Sequence, residues 1–265
     1  MPTLVLSPRV TEDTEAVGAA ARRAGWRVEQ LDSWRAPARL KGEDVAVYGE
    51  ALFAAVVAAD LGLALLDAPP DWPANLPERY RRRRIWYTTL GDARGRPGPL
   101  FAKPVDDKCF KAGVYPSGGD LPGGTHLSAS TPVLLADPAE WEIEFRCFVL
   151  NRAVVAHSPY ARNGQLAQAP DGSWPAAETE RREALAFAAA FLADPHVPLP
   201  PAIVVDVGKI RERGWAVVEA NGAWASGIYG CDPAAVLRVL ARATQPRSTI
   251  SPADTLWARP PLELI

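Results

Sequence analysis

Apolar and polar positions in the first third of the chain alternate between short apolar runs and helical spacing. Residues 3–6 form a short apolar run that reads as a strand. Residues 11–24 read as a helix: Thr11 can cap it, acids fill the first turn, and Gly25 stops it. Residues 27–31 alternate like a strand, and residues 44–48 (DVAVY) form a second apolar strand. Residues 51–59 are apolar at helical period, and residues 63–66 make another strand. Strand, helix, strand in this order predicts a small parallel α/β layer. Residues 67–77 (DAPPDWPANLP) form a connector, irregular but ordered, because Pro fixes φ and removes a backbone donor.

The pattern then changes. Residues 77–90 read as a basic helical stretch containing Arg79, Arg81, Arg82, Arg83 and Arg84. Such a run serves either as a solvated face with anion contacts or as a nucleic-acid contact. Residues 100–105 (LFAKPV) read as a strand, and residues 114–132, rich in Gly, Pro and Ser, as a loop. Residues 132–135 are a short strand. Residues 142–150 (EIEFRCFVL) alternate as a half-buried strand, paired as a hairpin with residues 153–160 across Asn151 and Arg152. An Ala-rich helix over residues 178–192 follows, then strands at 202–207 and 215–220 joined by a turn at Gly214. A last helix spans 232–243, with Asp232 as cap and Pro233 in its first turn. Residues 245–265 show no clear periodicity.

Composition narrows the function classes. The chain has 265 residues, enough for one large domain or two smaller ones at about 150 residues each. Lys and Arg total 29 against 31 Asp and Glu, a net charge of −2, which gives no support to a nucleic-acid coating protein. The 26 prolines imply many fixed turns and short elements. Cys109, Cys147 and Cys231 form no Cys-x-x-Cys pair, and their odd number fits no closed disulfide framework, so reduced thiols and a cytoplasmic location are expected. The run at residues 4–6 is too short for the apolar core of a signal peptide. Residues 51–66 are interrupted by Asp60 and fall short of the roughly 20 residues that cross a bilayer, so no membrane association is expected.

Three features carry candidate chemistry. Lys103 ends an apolar strand and is followed by Asp106, Asp107, Lys108 and Lys111. It is either a surface lysine or a point charge for phosphate oxygens, and the downstream Gly-rich loop offers backbone N–H groups for phosphate. Asp206, Glu219 and Asn221 sit on neighbouring strands, with Glu219 and Asn221 on one face because they are two apart. They are either a polar sheet end or the oxygen ligands that hard Mg²⁺ prefers. Glu144 and Arg146 share a strand face, as a structural ion pair or as a carboxylate orienting a guanidinium over phosphate. His126, His157 and His196 are scattered and read as structural, and Cys147 should face away from Arg146. Residues 224–229 (WASGIY) either line a pocket or pack the turn into the last helix.

The order FAKPVDDK, Gly-rich loop, TPVLLADPAEWEIEFRCFVL, AHSPYARNG, VVDVG and VVEANGAWASGIYG resembles the ATP-grasp superfamily. Within it, the chain is similar to the clade marked by two arginines and a lysine, with the likeness extending over residues 40–235. The resemblance implies a small N-terminal pre-ATP-grasp α/β layer (residues 1–95). An ATP-grasp fold of two α+β subdomains with ATP between them (96–245) and a tail (246–265) would follow. It implies ATP and Mg²⁺ as cofactors and small-molecule or peptide carboxylate and amine substrates, with no nucleic acid. Lys103 matches the lysine on the ATP phosphates, Leu134 and Leu135 the hinge whose backbone meets adenine, and Asp137 the acidic residue for ribose. Glu144 joins the nucleotide set. Arg146 matches the arginine near the transferred phosphate, and Arg162 or Arg84 the second signature arginine. Asp206, Glu219 and Asn221 match the metal positions. The implied activity is carboxylate–amine ligation through an acylphosphate. The alternatives are phosphoryl transfer on the same fold, or a nucleotide-binding module without turnover.

Overall fold

A computed structural model describes residues 1–105, 109–124 and 127–262. Asp106, Asp107, Lys108 and His126 lie outside the described residues. Strand β1 (Thr3–Leu6) is central in a parallel sheet, with β2 (Arg27–Gln30) and β3 (Val45–Tyr48) on its two sides. Helix α1 (Glu12–Arg23) starts at a capping box between Thr11 and Thr14, which satisfies two N-terminal backbone donors. Helix α2 (Ala51–Leu61) stops at Gly62, whose φ of 69° is the left-handed conformation that glycine adopts without steric cost.

Strand β4 (Leu63–Leu65) departs from the expected parallel layer. It pairs antiparallel with β14 (Thr244–Pro246), and Leu66 bridges Ala258. The segment without clear periodicity therefore contains a strand and a short helix, α8 (Pro252–Thr255). The basic stretch also differs from expectation. Only α4 (Glu78–Arg81), just after α3 (Trp72–Asn75), is helical; β5 (Ile85–Thr89) is a strand followed by α5 (Leu90–Arg94). The sequence IWYTT is aromatic and β-branched, which suits a pleated strand and outweighs the charged prefix.

Strand β5 joins β6 (Leu100–Pro104), β7 (Gly113–Tyr115) and β8 (Pro132–Ala136) in an antiparallel sheet of order β5–β8–β6–β7. One face packs Leu100, Ala102, Val133 and Leu135 against Leu90 and Ala93 of α5. The second large sheet has the order β11–β10–β9–β12–β13. Its strands are β9 (Trp141–Leu150), β10 (Ala153–Arg162), β11 (Gln165–Leu166), β12 (Ala202–Ile210) and β13 (Gly214–Asn221). Helix α6 (Glu178–Ala193) covers one face, where Ala184 and Phe191 pack with Phe145, Cys147, Val205 and Val207. On the other face, Phe148, Ala156 and Val204 join the core of the N-terminal layer. Helix α7 (Pro233–Ala243) completes that core with Val236, Val239 and Leu240. Among the described residues, no helix is long and apolar enough to cross a membrane.

Candidate active site

The five-stranded sheet sets its polar residues in a row. Register places Ser158 opposite Arg146, Arg146 opposite Asp206, and Asp206 opposite Glu219. All four side chains share the face that carries Phe148 and Val204 two residues further along. The row thus begins where the apolar core ends.

Asp206 is fully buried. Arg146 donates to both its oxygens, from Nε to Oδ1 at 3.0 Å and from Nη2 to Oδ2 at 2.7 Å. Burial raises the Asp206 carboxyl above its usual value, against the opposing pull of Arg146. Burial acts to lower Arg146, but the Asp206 charge and its hydrogen bonds together outweigh this and hold the guanidinium protonated. Arg146 further donates Nη1 to the Gly227 carbonyl at 3.0 Å, and lies 5.2 Å from the Tyr160 ring centre and 4.8 Å from that of Tyr229. The two rings stack at 5.3 Å. Tyr160 donates its hydroxyl to Glu144 Oε2 at 2.8 Å, and burial pushes the Glu144 carboxyl up.

Glu219 and Asn221 face the other sheet. Lys103 of β6, on the sheet face it shares with Leu134 of β8, places Nζ 2.6 Å from Glu219 Oε2, while Asn221 Nδ2 donates to Glu219 Oε1 at 2.9 Å. Burial favours the neutral acid, but Lys103 and these hydrogen bonds outweigh it and hold the Glu219 carboxyl below the usual range. Lys103, Glu219 and Asn221 line one cleft with Leu134, Trp72 and Arg259.

Two bulges set these directions. On β13, Asp206 pairs with Glu219 but Val207 pairs with Val217, so Val218 is the extra residue. A bulge brings successive carbonyls toward one side of the strand. The half-buried Arg83 takes both, donating to Val217 O at 2.9 Å and Val218 O at 3.0 Å, with its guanidinium 4.8 Å from the Trp141 ring centre. Burial pushes Arg83 down to about 10. On β10, Pro159 pairs with Phe145 and Ala161 with Glu144, so Tyr160 is the extra residue. This shift turns Arg162 onto the α6 face opposite Ile143, where it donates to both Glu180 oxygens at 2.8 and 2.9 Å.

Several expected roles change accordingly. Arg162 does not join Arg146. Asp206 meets Arg146 through both its oxygens, so the residue expected at a metal position also forms a buried ion pair. Leu134 and Leu135 lie in a central strand paired on both edges, so their backbone groups serve the ladder rather than a base. The segment after β8, residues 138–140, lines a groove with Val114 and the β12–β13 turn. Asp137 is held by Arg84, which donates from its backbone N, Nε and Nη2, each at 3.0 Å. Burial raises the Asp137 carboxyl, and Arg84 more than reverses this. The basic run is a set of internal fasteners: Arg79 pairs with Asp194, Arg81 donates to Ala74 O at 3.2 Å, and Arg83 and Arg84 act as described.

Other expectations hold. Cys147 faces away from Arg146, among Val205 and Val207, and His157 is opposite Cys147. Trp224 packs the turn and donates Nε1 to Leu66 O at 2.9 Å, whereas Tyr229 faces Arg146. Arg83 had no signal of its own within the arginine run; only the bulge it satisfies sets it apart.

The donor chemistry suits a divalent cation at Glu219 and Asn221. Two oxygen-bearing side chains on one strand face leave room for the phosphates and waters that Mg²⁺ keeps. Among the described residues, no group of three or more His, Cys, Asp and Glu forms a metal cage.

The fold that carries these residues has known counterparts. An ATP-grasp domain model, family 2 of the clade named for two arginines and a lysine, matches residues 80–239, and the chain belongs to this family. The fold is similar to that of D-alanine–D-alanine ligase from Bacillus anthracis, at 12% identity over 92% of this chain and 97% of that one, with a TM-score of 0.52. The ATP complex of that ligase gives 11% identity over 92% and 96% of the two chains, with a TM-score of 0.51. A RimK domain ATP-grasp protein from Sphaerobacter thermophilus DSM 20745 gives 12% identity over 91% and 99%, with a TM-score of 0.50. Among curated proteins, no match is found.

Proposed function

We propose that the chain is an ATP- and Mg²⁺-dependent carboxylate–amine ligase acting on an amino acid, peptide or protein end. The observation that supports this reading is the meeting of Lys103 with Glu219 and Asn221 from two different sheets at one cleft. Lys103 exchanges Glu219 for phosphate oxygens, and the groove lined by residues 138–140 would take the base. Glu219 and Asn221 would hold Mg²⁺, which neutralises charge on the triphosphate when bound. Arg146 adds positive charge behind Glu219. Glu144 steers Tyr160 beside it.

A carboxylate oxygen of the substrate attacks the γ-phosphorus and ADP leaves. The amine then attacks the acylphosphate carbon, and inorganic phosphate and a proton depart. Such chemistry needs positioning and electrostatics rather than a protein nucleophile. Three free thiols fit a reducing compartment, and we place the enzyme in the cytoplasm.

The test is ADP release from Mg·ATP in the presence of pooled amino acids and dipeptides, for the parent and Glu219→Gln. Amine-dependent release that collapses in the variant supports ligation. A stable phosphorylated product formed without an amine makes the protein a phosphotransferase. Nucleotide binding without release in the parent makes it a binding module.

A further inference from the structure

The family match covers residues 80–239, yet the segment that packs on Arg146 is held from outside it. Residues 226–230 follow β13 and pass beside Arg146. The single peptide unit between Gly227 and Ile228 is engaged at both ends. Its carbonyl accepts from Arg146 Nη1 at 3.0 Å, and its N–H donates to Asp13 Oδ2 at 3.0 Å. Asp13 lies in the first turn of α1, in the N-terminal layer. One residue earlier, the Ser226 carbonyl accepts from the Tyr48 hydroxyl of β3 at 3.0 Å.

The segment is tightly packed. A Cβ at Gly227 would meet Asp13 Oδ2 at 3.2 Å and the Tyr229 ring at 3.3 Å, so carboxylate, peptide and ring are in mutual contact. Tyr229 has a φ of 45°, a left-handed conformation that a bulky residue keeps only when its surroundings impose it. Its ring is flanked by Tyr160 at 5.3 Å and Trp174 at 5.5 Å, and its centre lies 4.8 Å from the Arg146 guanidinium carbon. A Cβ at Gly230 would meet the Trp174 indole at 2.2 Å, so Trp174 fills the space beside the turn.

A peptide unit set between a guanidinium and a carboxylate is polarised by both, so each hydrogen bond strengthens the other. Its orientation is fixed by charge, because turning it over would aim the carbonyl at Asp13 and the N–H at Arg146. Arg146 also acts on the Asp13 charge directly, against the desolvation that raises this carboxyl. Asp206 fixes Nε and Nη2 of Arg146, and Gly227 O fixes the remaining nitrogen. Released from Asp13, the segment can draw Tyr229 and this carbonyl off the guanidinium and admit water beside it. Water screens the guanidinium charge where charge develops during phosphoryl transfer. We propose that Asp13 is a positioning residue for the reaction: through the 227–228 peptide it holds Tyr229 and the Gly227 carbonyl on Arg146, so the N-terminal layer takes part in forming the site. This role rests on the ligase reading above, in which Arg146 lies behind Glu219.

The test compares the full-length parent with two variants. Asp13→Asn keeps an oxygen for the Ile228 N–H and loses the charge, whereas Asp13→Ala loses both. Hydrogen–deuterium exchange of peptides spanning residues 224–232 reads the anchorage with no substrate present. The expected result is protection in the parent and in Asp13→Asn, and faster exchange in Asp13→Ala. In ADP release from Mg·ATP with pooled amino acids and dipeptides, Asp13→Ala lowers kcat about tenfold, the size of one charge-assisted hydrogen bond, with each KM changed less than about twofold. Asp13→Asn recovers most of that loss, and thermal melting confirms that both variants fold. An active parent with unchanged exchange or unchanged kcat in Asp13→Ala overturns the role and leaves the ligase reading intact. A raised KM for the pool at unchanged kcat puts Asp13 on the substrate and also overturns it. So does an Asn variant no better than the Ala variant, which assigns the loss to the charge facing Arg146. A parent that neither releases ADP with the pool nor is stabilised by Mg·ATP overturns the ligase reading and this role together.

Discussion

Lys103 Nζ lies 2.6 Å from Glu219 Oε2, and this pair ties the four-stranded sheet to the five-stranded one across the cleft. Each side chain is about a quarter exposed, at 27% and 28%. The bridge is therefore open to exchange, unlike the sealed pair of Arg146 and Asp206, at 8% and 0%.

The Glu219 carboxyl is held below its unperturbed value of 4.5 in the folded protein. Its contribution to stability is complete above that value and fades as the pH falls through the lower folded pKa. The melting temperature of the parent should exceed that of Glu219→Gln by a constant margin near neutrality. The margin should shrink as the pH drops below about 4.5. Thermal melts across pH on both proteins check this, and a margin that widens in acid contradicts it.

Arg146→Met leaves Asp206 buried without its partner. The expected loss is about 3–5 kcal/mol in urea unfolding, the range for an uncompensated buried charge. Adding Asp206→Leu should recover much of it, because no charge then remains to be paired. A double variant no more stable than the single one would show that the pair does not account for the loss.

Arg83→Met removes the donors to two bulge carbonyls next to Glu219. Edge-strand carbonyls can recruit water, so a stability loss of about 1–3 kcal/mol is expected. The more telling readout is a weaker response to Mg·ATP in thermal shift, since Glu219 loses its fixed direction. Arg83 stays protonated below a pKa of about 10, so the parent's response should not change with titration of this group near neutrality.

Arg162→Gln breaks only the pairing with Glu180 on the α6 face. Half-exposed pairs of this kind contribute about 0–1 kcal/mol. Mg·ATP-driven ADP release should stay within about twofold of the parent. A larger loss of kcat returns Arg162 to the site.

Gly208→Ala places a Cβ 2.6 Å from the Trp141 ring. The indole is held against Arg83 and has little room to move, so overpacking should cost about 1–3 kcal/mol. Denaturant unfolding measures it directly.

The α/β alternation of the first 66 residues was legible because caps, a glycine stop and apolar runs all agree there. The shared face of Glu219 and Asn221 was legible for a similar reason: strand parity alone sets two residues on one face. Parity also misled. Counting by twos from Tyr160 places Arg162 beside it, but the extra residue at Tyr160 reverses the sides after it. The direction of Arg83 likewise depends on a bulge that pairing creates. Strand β5 was hidden behind an arginine run whose charge suggested a solvated helix, whereas the carbonyls and carboxylates that receive those arginines come from remote segments. The pairing of Asp206 with Arg146 was not legible, because a carboxylate's partner is invisible until two strands are set side by side.

The shared core has a consequence for how the chain is made. Helix α7 supplies Val236, Val239 and Leu240 to the same core as Leu4, Val47 and Phe53, and β14 supplies the partner of β4. On a ribosome, the first layer therefore emerges long before the helix that closes it. Until residue 243 has left the exit tunnel, β3 and α1 keep an uncovered apolar side. Final burial must then join segments about 200 residues apart, which makes the last folding step slow and leaves the nascent chain dependent on protection from aggregation.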